Sequence, residues 1–130
     1  MFWSRDVTRP SFVSLDLHKD TGSLTVTSVD GWDSETFKVP EEVDAQIAQA
    51  FYNVQPALAT AGVQGGWSSV FSVESYHVGG PGDQEEVFKA MKKNFNKWMP
   101  NHKPRWTLLG VARLGLAEVK VEIDVVAWEK

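Results

Sequence analysis

The sequence predicts a two-layer α+β domain: one mixed sheet with two helices packed on one face. Three observations carry this. Apolar residues recur every three or four positions in two segments, which is helical spacing. Segments rich in β-branched and aromatic residues precede, separate and follow those helices, giving the order ββ-α-β-α-ββ. The last segment alternates strictly between apolar and charged residues over Val119–Val125, as a half-buried strand does. Strands distributed in this way around two helices favour one sheet covered on one side.

The elements follow in order. Phe12–Leu17 and Leu24–Ser28 read as strands flanking a turn at Lys19, Asp20, Thr21 and Gly22. From Glu42 to Ala61, Val43, Ile47, Phe51, Val54 and Leu58 share one helical face. Pro40 and Gly62 are natural start and stop signals, and Pro56 is expected to kink the helix or end its regular part early. Trp67–Val78 reads as a strand. A second helix spans Gln84–Met99, with Val87, Phe88, Met91, Phe95, Trp98 and Met99 as its apolar stripe. Glu85 and Glu86 near its start and Lys92, Lys93 and Lys97 toward its end suit the helix dipole. Two strands close the chain, one from Trp106 through Gly110 and beyond, the other Ala117–Trp128, with Leu114, Gly115 and Leu116 as the short turn between them.

The closing strand also points to a partner. Val119, Val121, Ile123 and Val125 face the helices, while Lys120, Glu122 and Asp124 face away. Val126 and Trp128 make that outer face apolar again, and Leu108, Leu109 and Val111 add to the same sheet. An uncovered apolar sheet face predicts a homo-oligomer built sheet against sheet, with Glu122 at or near the seam.

Composition narrows the function. The chain has 130 residues, the size of one domain, so residues 1–130 are read as a single unit. No cysteine is present, which excludes a disulfide scaffold, a thiol nucleophile, an iron–sulfur cluster and a cysteine zinc site. The net charge of −4 gives no bulk attraction for nucleic acid. Nothing approaches the ~20 apolar residues of a membrane span, and MFWSRDVTRP lacks the apolar run of a secretory signal, so the expectation is a cytoplasmic protein. Six tryptophans are unusual for this size and point to a pocket or an interface.

Among candidate residues, Glu122 has two readings: a partly desolvated general acid/base, or a salt-bridge partner for Lys120 or Arg113 of a neighbouring copy. Arg105 and Arg113 are the only arginines beyond the first ten residues. Either can hold an anion, but surface solvation is the commoner fate. His18, His77 and His102 lack metal-ligand spacing, so no metal or cofactor is expected. Ser72 and Ser75 lack a nucleophile elbow. Gly79, Gly80, Pro81 and Gly82 lack the Lys-Ser/Thr of a phosphate loop and read as a mobile loop. Lys89, Lys92, Lys93 and Lys97 form a solvated helix face.

The run Phe51-Tyr52-Asn53-Val54, Ala57 through Gly62, then Trp67-Ser68-Ser69-Val70 and Tyr76, resembles the Rid (YjgF-type) family. Val121 through Ala127 is similar to its closing strand, and Pro104-Arg105-Trp106-Thr107 stands where its Pro-Ala-Arg-Ser/Thr motif falls. The likeness covers roughly residues 22–128; DGWDSET and NKWMPNHKPRWT look like a fungal-type branch, and residues 1–24 are divergent. The resemblance implies a chorismate-mutase-like homotrimer with sheets facing inward, pockets at the subunit clefts, and hydrolysis of reactive enamines and imines of amino acids. Some relatives carry an endoribonuclease label.

The departures are informative. The family's carboxylate-binding arginine aligns with Trp106, its pocket cysteine with Leu108, and its N-terminal tyrosine falls near Leu15; only Glu122 matches. On this resemblance Glu122 is the expected acid/base. Trp106, Leu108, Trp32, Arg105 and Tyr76 are the expected substrate-binding residues, Trp106 also being readable as a core plug and Trp32 as a turn anchor. Loss of a bidentate arginine argues against a free 2-imino acid and for a larger, more apolar substrate, in an isomerisation or cyclisation of secondary metabolism. An imine deaminase and a non-catalytic ligand-binding or chaperone-like trimer are the alternatives.

Overall fold

The structure is a computed structural model and describes residues 2–5, 12–18, 23–33, 35–36, 38–79 and 83–128. The turn expected at Lys19–Gly22 and most of the glycine loop, 80–82, lie outside the described residues. The elements are β1 (Phe2–Arg5), β2 (Phe12–His18), β3 (Ser23–Asp30), α1 (Val43–Thr60), β4 (Val70–Val78), α2 (Gln84–Trp98), β5 (Arg105–Val111) and β6 (Val121–Trp128). They form the two-layer α+β architecture read from the sequence, with one strand more: β1 pairs antiparallel with β2.

The six strands lie in one sheet in the order β1-β2-β3-β6-β4-β5. β6 runs antiparallel between β3 and β4, while β4 and β5 are parallel. The last two strands therefore do not form the hairpin expected from Leu114, Gly115 and Leu116. Residues 112–120 carry the chain past β4, and β6 begins only at Val121. Burial explains the arrangement. Val121, Ile123, Val125 and Ala127 are fully buried, which requires a central strand beneath the helices, whereas Leu108 and Leu109 are 36% and 41% exposed, as an edge strand permits.

α1 buries Ile47, Ala50, Phe51, Val54 and Leu58 completely. It continues through Pro56 to Thr60 rather than ending early. The proline leaves the carbonyl of Tyr52 without its usual amide donor. Tyr52 is on the exposed side of the helix, where water can satisfy that carbonyl. The helix ends in a Schellman motif: Val63 N–H donates to Leu58 O and Gly62 N–H to Ala59 O, both at 3.0 Å. Gly62 supplies the left-handed φ of 87° that this ending needs.

Trp67 does not open a strand. It sits in a 3-10 turn at Gly66–Ser69, and β4 starts three residues later. There it is a core anchor: its ring stacks on Phe51 at 4.9 Å and its indole N–H donates to Phe51 O at 3.0 Å. α2 completes the layer with Val87, Ala90 and Met91. The opposite sheet face has no covering layer among the described residues.

Candidate functional site

Two side-chain groups stand out, one on each side of the sheet. The first centres on Glu122. Asp30, the last residue of β3, is its direct register partner on one flank, and Tyr76 of β4 is its partner on the other. A β-bulge creates the first pairing. The ladder pairs Val26 with Val125 but Val29 with Ile123, so β3 carries one extra residue between them. An unshifted ladder would set Asp30 opposite Val121, under the helices. The extra residue moves Asp30 to the open face beside Glu122, a re-aiming that bulges perform.

The exit of β3 is then clamped. Asn53 of α1 donates to the carbonyls of Asp30 (2.8 Å) and Trp32 (2.7 Å), and accepts from Gln49 at 2.9 Å. Gly31 lies so close to α1 that a Cβ there would collide with the Gln46 carbonyl. Gln46 is itself buried; it donates to Pro40 O and Glu118 O and accepts from Lys120 N–H. The chain leading into β6 and the start of α1 are thereby fixed together. In this frame the Trp32 indole N–H donates to Asp30 Oδ2 at 3.1 Å.

The electrostatics follow from the geometry. Burial, then the Glu122 charge, pushes Asp30 from an ordinary 3.8 up to about 7, against the opposing pull of the Trp32 hydrogen bond. Burial, then Asp124, raises Glu122, while its hydrogen bond with Asp30 acts the other way. Asp30 Oδ1 is buried and receives no donor from any other group. The nearby Glu122 charge disfavours a second negative charge on Asp30, which adds to the effect of its burial. Tyr76 donates its hydroxyl to Glu74 Oε2 at 2.9 Å. Burial and that bond push its own ionisation up to about 12, so it remains a neutral phenol.

The second group lies on the helix side. Trp106 packs against Phe88 and Phe95 of α2, with ring centroids at 5.4 and 4.9 Å, and its indole N–H donates to the buried Ser75 Oγ at 2.9 Å. It walls a cleft of about 470 Å³ between α2 and the chain entering β5, together with Lys92, Met99, His102 and Lys103. The sheet thus separates Trp106 from Glu122 within one chain, sets Tyr76 in register with Glu122 and sets Trp32 against Asp30. Leu108 lies on the β5 edge opposite Ser75. Arg105 pairs with Ser72, four positions along β4 from Tyr76, or about 13 Å at strand spacing. His77 is 5% exposed with neither ring nitrogen bonded; burial lowers it to about 4, so it is a neutral core residue. No group of three metal-ligating side chains occurs among the described residues, and no helix among them is long and apolar enough to cross a membrane.

Sequence reasoning missed Asp30. Its signal is slight: an acid two positions before a tryptophan, placed by a bulge that periodicity does not reveal. Phe88 was read as core stripe, yet it is 49% exposed at the rim of the cleft.

One six-stranded sheet of this order, with two helices on one face, places the chain among small two-layer α+β proteins. Residues 19–129 match the family model described as endoribonuclease L-PSP, and the chain belongs to that family, the YjgF/Rid family. The fold is shared with YjgF of Escherichia coli (TM-score 0.76, 22% identity, 93% of this chain and 89% of that one). It is shared equally with E. coli TdcF carrying bound serine (0.75, 20%, 93% and 89%), and with yeast Mmf1 (0.70, 24%, 84% and 81%). No curated protein matches the chain.

Proposed function

We propose that the protein is a small-molecule enzyme acting on an imine, enamine or enol-type substrate, with Glu122 as the acid/base and Asp30 as the residue that shares its proton. The observation that carries this is the bulge-made Asp30–Glu122 pair, with Asp30 held at about 7. A carboxyl poised near neutral pH both gives and takes a proton efficiently. Protonation of an enamine carbon by the pair gives an iminium ion. The carboxylate left behind then accepts a proton from the water that adds to the iminium carbon, and collapse of that adduct releases ammonia and a carbonyl. In an isomerisation the same pair returns the proton to a different atom.

Trp32 holds one oxygen of Asp30 and shields it from solvent. Tyr76, in register with Glu122, keeps a neutral hydroxyl on the same face, bonded to Glu74. A homotrimer with sheets facing inward fits the exposed apolar side chains of Leu109 and Trp128 on the open face, and sets the substrate at a cleft between copies. The serine bound in TdcF supports a small metabolite as ligand. Carboxylates at Asp30, Glu74, Glu122 and Asp124 make the open face repellent to RNA phosphates, which argues against nuclease action. Trp106 at the position of the family's arginine favours a larger, more apolar substrate over simple amino-acid imines. The same replacement supports a second reading, a ligand-binding protein without turnover.

The test is ammonia release from imines generated in solution, one small and one aromatic. Glu122→Gln should lower release at least ~100-fold, the usual share of general acid/base catalysis. Unchanged release would remove Glu122 from the chemistry, and binding without release in the wild type would favour the second reading.

A further inference from the structure

We propose that His77 is an acid-sensitive latch between the sheet and the helix layer: a proton taken up by its ring loosens the packing over the end of β4. His77 is 5% exposed, and neither ring nitrogen has a hydrogen-bond partner. Buried polar groups are bonded almost without exception, so a bare imidazole in the core departs from ordinary packing. The neutral ring is tolerated there. A charged ring in the same place needs a counter-ion or water.

The surroundings offer no counter-ion. Val121 of β6 is in register with His77 on one flank and Gly110 of β5 on the other. Val121 is fully buried. Gly110 brings no side chain, and nothing lies within 4 Å of the place its Cβ would take, so the ring has an unfilled flank toward the edge of the sheet. Ser75, two positions back on the same face, already accepts from Trp106. α2 buries Val87, Ala90, Met91 and Asn94, and the one polar member, Asn94, donates to Ala90 O at 2.9 Å. Gln46, the buried polar side chain of α1, is engaged by backbone groups of Pro40, Glu118 and Lys120. Glu74 and Tyr76 of the same strand alternate with His77 and face the open side, as do their register partners Asp124 and Glu122. Asp83 approaches Gly79, two residues beyond His77. None of these charges reaches the ring: burial alone lowers His77 from 6.5 to about 4.

The direction of the effect follows. Between 6.5 and about 4 the unfolded chain binds a proton that the folded chain refuses. His77 therefore favours the closed fold fully above 6.5 and progressively less as pH falls. Asp30 acts with the opposite sign over part of this range, so wild type and His77 variants are compared at the same two pH values. The latch is independent of the acid pair, because no turnover is read.

The experiment uses the full chain at pH 7 and pH 5. Two-dimensional NMR follows the His77 ring, urea unfolding follows the equilibrium, and hydrogen exchange at the Trp106 indole N–H, corrected for its intrinsic pH dependence, follows the packing beside Ser75. The ring is expected to stay neutral at pH 5 in the folded chain. Relative to His77→Phe, the wild-type unfolding constant should rise about twentyfold from pH 7 to pH 5, and Trp106 exchange should quicken in the wild type alone. His77→Gln, neutral and polar, should match His77→Phe, which separates charge from ring shape and keeps the test open if one variant fails to fold. A folded-state ring that titrates near 6.5 overturns the proposal, as does an equal acid response in the wild type and the variants.

Discussion

Asp30 and Glu122 stand directly opposite each other across the β3–β6 ladder because a bulge inserts one extra residue into β3. Each carboxyl is raised, Asp30 by burial and by Glu122, and Glu122 by burial and by Asp124. The pair has a consequence for stability. Asp30 titrates at 3.8 when unperturbed and at about 7 in the folded chain. Between those values the folded state holds a proton that the unfolded state has released, so stability falls as pH rises across this window and levels off above it. Asp30→Asn keeps an acceptor for Trp32 and removes the titration. Denaturant melts at pH 5 and pH 8 should show a decline in the wild type that the variant lacks, leaving the variant about 1–2 kcal/mol more stable at pH 8 relative to pH 5.

Gly31→Ala tests the close approach of β3's exit to α1. The added Cβ meets the Gln46 backbone carbonyl, which lies within a helix and cannot move cheaply. The expected loss is about 1–3 kcal/mol, typical of overpacking, measured by urea unfolding. A neutral substitution would mean that the loop yields freely and that Asp30 is less constrained than its contacts imply.

Asn53→Ala removes the donor that binds two carbonyls around Gly31. Leaving partly buried carbonyls unpaired costs about 1–3 kcal/mol. It should also loosen Trp32 from Asp30, seen as slower-to-faster hydrogen exchange at the Trp32 indole. Stability loss without faster exchange would show that Asn53 braces α1 but not the acid pair.

Trp67→Phe keeps the stacking position on Phe51 and deletes the indole donor to Phe51 O. Loss of that buried hydrogen bond and of ring volume should lower stability by about 1–3 kcal/mol, read as a lower urea midpoint at unchanged slope.

The layer architecture and both helices were legible in the sequence because their signals are periodic. Val121, Ile123 and Val125 alternate with charge, and Ile47, Phe51, Val54 and Leu58 repeat at helical spacing. The strand order was not legible. The loop after β5 contains turn residues, but a hairpin and a crossover past β4 share that composition, and only the full burial of β6 decides between them. Glu122 was readable from the family likeness, whereas Asp30 depends on a one-residue register shift that leaves no mark in hydrophobic pattern. Trp106 was readable as a pocket wall or as a core plug, and which side of the sheet it occupies is set by its contacts with Phe88 and Phe95.

The shared proton is tested most directly by following the Asp30 carboxyl carbon in a pH titration by NMR. The account predicts a midpoint near 7 in the wild type, and a clearly lower midpoint in Glu122→Gln, where the opposing charge is gone. A wild-type midpoint in the ordinary carboxylate range, or one that Glu122→Gln leaves unmoved, would contradict it.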